Sequence, residues 1–77
     1  MKKVTLYSQP ECPPCEVVKL FMREYGIEYV EKNIKEDTGA REFLMKRLKS
    51  YSTPTITVGD LVISGFDLEA LKAALEI

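Results

Sequence analysis

The 77 residues are 30% charged and 45% hydrophobic, with a net charge of −1. That balance fits one small globular domain over residues 1–77 and argues against disorder and against a dedicated polyanion binder, so nucleic acid is not an expected partner. No apolar run approaches the roughly 20 residues that span a bilayer, and the stretch after Lys2 and Lys3 is broken at Thr5, Ser8, Gln9 and Pro10, unlike a signal peptide. A monomer in the cytoplasm, with no membrane association, is the expectation.

The first element is a strand over Met1 to Tyr7, with Val4, Leu6 or their neighbours alternating toward a core. Ser8-Gln9-Pro10-Glu11 is a loop by composition. From Pro13 or Pro14 to about Tyr25, apolar residues at Val17, Val18, Phe21, Met22 and Tyr25 form one helical stripe, and Gly26 stops it. Glu28 to Ile34 reads as a second strand. Asp37 or Thr38 caps a second helix running to about Lys49, with Ala40, Phe43, Leu44 and Leu48 as its buried stripe. On its solvated face, Asp37 with Arg41 and Glu42 with Lys46 have ion-pair spacing, and Lys46-Arg47 with Lys49 reads as its positive end.

Ser50 to Pro54 breaks that pattern. Thr55 to Val58 and Leu61 to Ser64 are β-branched runs separated by Gly59-Asp60, a hairpin signal of the II′ type. Asp67 is the expected N-cap of a last helix, with Leu68, Leu71, Ala74 and Leu75 facing inward. The order β-α-β-α-β-β-α requires a parallel first pair with a right-handed crossover and an antiparallel last pair. One four-stranded mixed sheet flanked by three helices, an α/β fold, satisfies both.

The chain has two cysteines and no histidine. Two thiols supply only half of a zinc site, while a lone Cys-x-x-Cys pair in a reducing compartment points to redox chemistry. Metal binding and an incidental pair stay open as alternatives. Cys12 falls where a loop meets a helix N-terminus, whose unpaired amides and dipole favour a thiolate. Cys15 follows three residues later, close enough on one helix face for a disulfide. The expected roles are Cys12 as nucleophile and Cys15 as the thiol that resolves a mixed disulfide. Pro13-Pro14 removes two donors from the helix start, so the helix proper is expected from Pro14, with the Cys15 N–H the main remaining donor near the Cys12 sulfur. Glu16 and Lys19 read as an ordinary solvated helix face, and Tyr7 and Tyr51 as structural residues.

Three signatures in order now carry a resemblance over essentially the whole chain. They are Leu6-Tyr7-Ser8 followed by Cys12-Pro13-Pro14-Cys15, then Ser52-Thr53-Pro54, then Ser64-Gly65-Phe66-Asp67. The sequence resembles the glutaredoxins of the thioredoxin-fold superfamily. That resemblance implies a thioredoxin-like fold and dithiol–disulfide oxidoreductase activity with no tightly bound cofactor. It implies a cis bond before Pro54, packed beside the Cys12 sulfur, although most X–Pro bonds are trans. It further implies active-site shaping by Pro13, Pro14 and Pro54, and substrate contacts at Gln9, Thr53, Gly65, Phe66 and Asp67, with the Thr53 main chain receiving a peptide or glutathione like an added strand.

Departures from the family pattern bear on glutathione. Gln9 stands where a lysine commonly meets a glutathione carboxylate, Pro14 replaces an aromatic, and only Asp67 remains of a paired-aspartate turn. Losing charged partners weakens recognition of a zwitterionic peptide. The Ser-Gly-Phe turn is also similar to the redoxins that pass electrons from thioredoxin reductase to ribonucleotide reductase, although Ile63 stands where they usually carry an aromatic. Expected partners are therefore disulfide-containing proteins, ribonucleotide reductase among them, with glutathione or thioredoxin reductase as electron source. A Cu(I) or zinc carrier and a peptide-binding module of the same fold are the rival readings. Copper chaperones typically carry Met where this chain has Pro10, and end on a strand.

Overall fold

A computed structural model describes residues 3–77. The elements are β1 (Val4–Ser8), α1 (Pro13–Glu24), β2 (Val30–Asn33), α2 (Thr38–Lys46), β3 (Thr55–Val58), β4 (Leu61–Ser64) and α3 (Leu68–Leu75). They form one sheet in the order β2-β1-β3-β4. The β1–β2 pair is parallel and the β1–β3 and β3–β4 pairs are antiparallel. This is the mixed sheet that the element order requires.

Cross-strand register sorts side chains between the two faces. Leu6 pairs with Ile56 and Ile56 with Ile63, and this apolar row packs with Val18, Phe21, Met22, Leu71 and Ala74 of α1 and α3. The next row, Tyr7, Thr55 and Ser64, lies on the opposite face, where Tyr7 packs with Ala40 and Leu44 of α2. With helices on both sides, all five β1 residues are buried. Val4 and Leu6 alternate toward the α1/α3 core as expected, and the residues between them are buried as well, because a central strand covered on both faces has no solvated side. The part of the expected strand at residues 1 and 2 lies outside the described residues.

Local chemistry sets the helix ends. The α1 C-terminus closes with Gly26 in the left-handed region (φ 64°), its N–H donating to the Arg23 carbonyl and the Ile27 N–H to the Met22 carbonyl. This double bond is the Schellman arrangement. Asp37 caps α2 by accepting from the Ala40 N–H at 2.9 Å, and Asp67 caps α3 through the Ala70 N–H at 3.0 Å. In the hairpin Gly59 has φ 59° while Asp60 is not left-handed, the sign pattern of a II′ turn.

Several boundaries and burial assignments differ from the sequence expectation. The second strand is Val30–Asn33, shorter than Glu28 to Ile34, and α2 stops at Lys46. Beyond it Lys49 turns left-handed (φ 57°), so the Ser50 N–H reaches back to the Leu44 carbonyl. Val17 and Tyr25 are exposed, because the apolar arc of α1 is wider than the face the sheet covers. Tyr25 instead lies against Phe21 with Lys72 over its ring. Phe43 is also exposed; it stacks on Tyr7 from outside (ring centroids 6.4 Å apart) beneath the Arg47 guanidinium.

Neither expected ion pair on α2 is present among the described residues. The Asp37 carboxylate is turned to the helix amides instead of Arg41, and Glu42 and Lys46 both stay in solvent. No helix among the described residues is long and apolar enough to cross a membrane. Leu71 anchors α3 and is fully buried. Leu71→Ala should cost about 2–5 kcal/mol, read as a lowered urea midpoint at unchanged slope.

Candidate redox site

Cys12 is the N-cap of α1, with extended backbone (φ −121°, ψ 92°). The proline that follows favours this extended state, and Glu11 just before it is left-handed (φ 57°), turning the chain from β1 into the helix. The helix starts at Pro13, one residue earlier than expected. Both prolines fit the first turn, where their fixed φ is helical and a missing N–H loses no partner. Of the first three helical residues, only Cys15 retains an amide donor.

Cys12 and Cys15 are joined by a disulfide, their Cα atoms 5.2 Å apart. That separation falls inside the usual disulfide range of about 4.4–6.8 Å. The junction between the extended Cys12 and the first turn of α1 supplies it. The two sulfurs differ in access. Cys15 is 0% exposed and Cys12 is 9% exposed, with Cys12 opening on a shallow cavity shared with Glu11, Pro13 and Glu16. An incoming disulfide can reach Cys12 and not Cys15.

The Thr53–Pro54 peptide is cis, and Pro54 is buried. The sequence assigned Thr53 a main-chain role, yet its side chain also meets Cys12. The Thr53 hydroxyl lies 3.6 Å from the Cys12 sulfur. Because neither bonded sulfur carries a hydrogen, the hydroxyl is the donor. Behind Pro54, the Gly65 N–H donates to the Pro54 carbonyl at 2.8 Å, with Gly65 left-handed (φ 78°).

A chain of hydroxyls fixes this loop. Ser64 Oγ donates to Ser50 Oγ (3.2 Å), and Thr55 Oγ1 donates to the Ser52 carbonyl (2.7 Å). The Ser50–Thr55 contact, 2.8 Å long, must then run from Ser50 to Thr55, since the Thr55 proton is already committed. Every hydroxyl proton therefore points one way, from β4 to the loop that carries Thr53. The signal in the sequence was the density of Ser and Thr over residues 50–55, which read only as a break between elements.

This geometry has known counterparts. A glutaredoxin family model matches residues 4–63. The chain belongs to the glutaredoxin family. A point variant of the thioredoxin-like protein BC3987 is 43% identical to it, with a TM-score of 0.96, covering 100% of this chain and 99% of that one. The glutaredoxin-like NrdH-redoxin from Escherichia coli is 26% identical at a TM-score of 0.81, covering 92% of each chain. In Lactococcus lactis, the glutaredoxin-like protein NrdH is 37% identical over 65 residues, 82% of this chain and 86% of its own. The fold is thioredoxin-like, and the chain is glutaredoxin-like with a disulfide-forming Cys-x-x-Cys pair.

In this glutaredoxin-like chain the other residues assigned from sequence are placed unequally around the pair. Phe66 is half-exposed, and the Asp67 carboxylate is engaged as the α3 cap. Gln9 lines a second cavity with Lys35, Arg41 and Tyr51, and Tyr51, at 76% exposed, is no packing residue. Tyr7 does serve the core, and burial first, then the Asp37 carboxylate, pushes its phenol pKa up. Among the described residues no group of three or more His, Cys, Asp or Glu side chains converges where a metal ion could be held.

Glu16 and Lys19 are more than a solvated face. Lys19 Nζ bridges Glu16 (2.9 Å) and Glu31 of β2 (2.8 Å), and Glu31 accepts from the buried Ser8 hydroxyl at 2.6 Å. Glu16 and Lys19 are at helical spacing, but Glu31 lies 12 positions from Lys19 and 23 from Ser8, so spacing along a helix could not have found it. The chain ties the end of β1 and the outer strand to the first turns of α1. Hydrogen bonds from Lys19 and then Ser8 hold the Glu31 carboxyl below its usual range, and those to Glu31 and then Glu16 raise Lys19.

Two measurements follow. Thr55→Val keeps shape but leaves the buried Ser50 hydroxyl without its acceptor, and should cost about 1–3 kcal/mol in urea unfolding. Glu31→Gln tests the charge chain by pH. A lowered folded pKa stabilises above the ordinary carboxylate range, and this contribution is lost as pH falls through the folded value. Wild type should therefore exceed Glu31→Gln at pH 7 by about 1 kcal/mol or less, given solvent screening, and the two should converge in strong acid.

Proposed function

We propose that the chain is a cytoplasmic dithiol–disulfide oxidoreductase that reduces protein disulfides through Cys12. The observation that carries this reading is a bonded cysteine pair across one helical turn, one sulfur accessible and the other sealed, with a hydroxyl donor on the accessible one. In the reduced form the Cys12 thiolate, favoured by the helix N-terminus and the Thr53 hydroxyl, attacks one sulfur of a substrate disulfide. The substrate S–S bond breaks, its first thiolate leaves and takes a proton from water, and a mixed disulfide to Cys12 remains. Cys15 then loses its proton and attacks the Cys12 sulfur, expelling the second substrate thiolate. The substrate gains two electrons and two protons, and the chain is left with the Cys12–Cys15 disulfide.

The same reading has a donor and a partner. Gln9 brings no charge to a glutathione carboxylate, and Asp67 is committed to the α3 amides. Both features favour thioredoxin reductase over glutathione as electron source. The E. coli relative is described as having a thioredoxin-like activity profile, which supports the same choice. Likeness to NrdH proteins and to redoxins that supply ribonucleotide reductase makes that enzyme the proposed protein partner.

Two variants separate the steps. Cys12→Ser should abolish the acceleration of dithiol-driven insulin reduction, whereas pre-reduced Cys15→Ser, mixed with insulin after the dithiol is removed, should stop after one event and accumulate a covalent adduct visible by intact mass. Full activity in Cys12→Ser would end the proposal. For the donor, NADPH consumption should be fast with thioredoxin reductase and slow with glutathione plus glutathione reductase.

A further inference from the structure

A cavity that the redox chemistry does not use lies at the end of the domain away from the cysteines. Val4 opens β1, which runs toward Cys12, and pairs with Val58, the last residue of β3, so the two mark the far edge of the sheet. A cavity of about 510 Å³ opens there. Its floor is Val4, Val58 and Ala74, all buried members of the main core, with Ile27 and Leu75 packed against them. The volume lies within the range of about 300–1,000 Å³ typical of ligand sites.

The rim has one sign of charge. Among the described residues, the charged side chains on the wall are Glu28 and Glu76, both exposed, with no lysine or arginine beside them. Neither makes an ion pair among the described residues. Two helices also end here, α1 at Gly26 and Ile27 and α3 at the left-handed Glu76 (φ 60°). Helix C-termini present spare carbonyls and the negative end of the dipole, which favour a cation. No three metal-ligating side chains converge among the described residues, so a bare metal ion does not match the site. Lysine and arginine do match it, since each lays a hydrocarbon stem on apolar surface and carries its charge to the edge.

We propose that this cavity docks a partner protein through a lysine or arginine set between apolar residues. The apolar neighbours and the stem lie on the floor, and the cationic head meets Glu28, Glu76 and the two helix ends. Because the cavity is at the far edge of the sheet from Cys12, a protein held there leaves the accessible sulfur open. The domain can then stay attached to one protein while Cys12 reacts with another. The attachment is partly electrostatic and weakens with salt. It goes beyond the redox reading and does not depend on it.

The experiment titrates the isotope-labelled full chain with three acetylated tripeptide amides, Leu-Arg-Leu, Leu-Gln-Leu and Leu-Glu-Leu, and follows backbone amide shifts at low ionic strength. The arginine peptide should shift the Ile27, Val58 and Leu75 amides saturably. It should bind about three- to tenfold more tightly than the glutamine peptide, the range open to exposed carboxylates and helix ends acting together. The glutamate peptide should bind most weakly. In the double variant Glu28→Gln with Glu76→Gln, the arginine peptide should fall to the level of the glutamine one. The ranking of the three peptides on wild type tests the role of charge independently of that variant. With the arginine peptide saturating, hydroxyethyl disulfide should be reduced at an unchanged rate. Shifts absent from this end of the domain, equal binding of the three peptides, a preference that survives the double variant, or slowed reduction would each overturn the proposal.

Discussion

The site depends on how the chain passes from β1 into α1. Cys12 is at once the last extended residue and the cap of a helix, a double role set by Pro13 behind it and the left-handed Glu11 before it. Were the helix to start a residue later or the strand to run on, the two sulfurs would no longer face each other across a single turn. The strand cannot slide, because β1 is hydrogen-bonded on both edges and buried on both faces. A slip of one residue would send Leu6 and Tyr7 to the wrong cores.

Two polar chains then hold the surroundings of the cysteines from opposite sides. The hydroxyl chain from Ser64 through Ser50 and Thr55 to the Ser52 carbonyl steadies the loop that aims Thr53 at Cys12. The chain from Ser8 through Glu31 and Lys19 to Glu16 fastens α1 to the parallel edge of the sheet. The first is centred on the buried Ser50–Thr55 bond and has its protons ordered in one direction, so each bond strengthens the next. The second is open to solvent and draws its strength from charge, which makes it sensitive to acid and to salt.

Much of this was legible in the sequence because it follows from local rules. Asp37, Asp67 and Gly26 end helices by chemistry that acts over four residues, and Gly59-Asp60 closes the hairpin by the sign of one backbone angle. The cysteine pair was legible for the same reason. What escaped was non-local or competitive. Phe43 has the right spacing for a buried stripe, but the face it would fill is already occupied by Tyr7. Asp37 had two possible partners, and the helix amide took it, which changed the surroundings of Arg41. Lys19 looked like any exposed lysine until the fold brought Glu31 beside it.

The short span between the paired cysteines carries a consequence for what their bond does for the fold. The disulfide joins an extended residue to a helical one at a sequence separation of 3, with Cα atoms 5.2 Å apart. A ring that small removes little freedom from the unfolded chain. The sulfur bond is therefore a poor staple, and the cohesion of the domain rests on its sheet and helices whether that bond is closed or open.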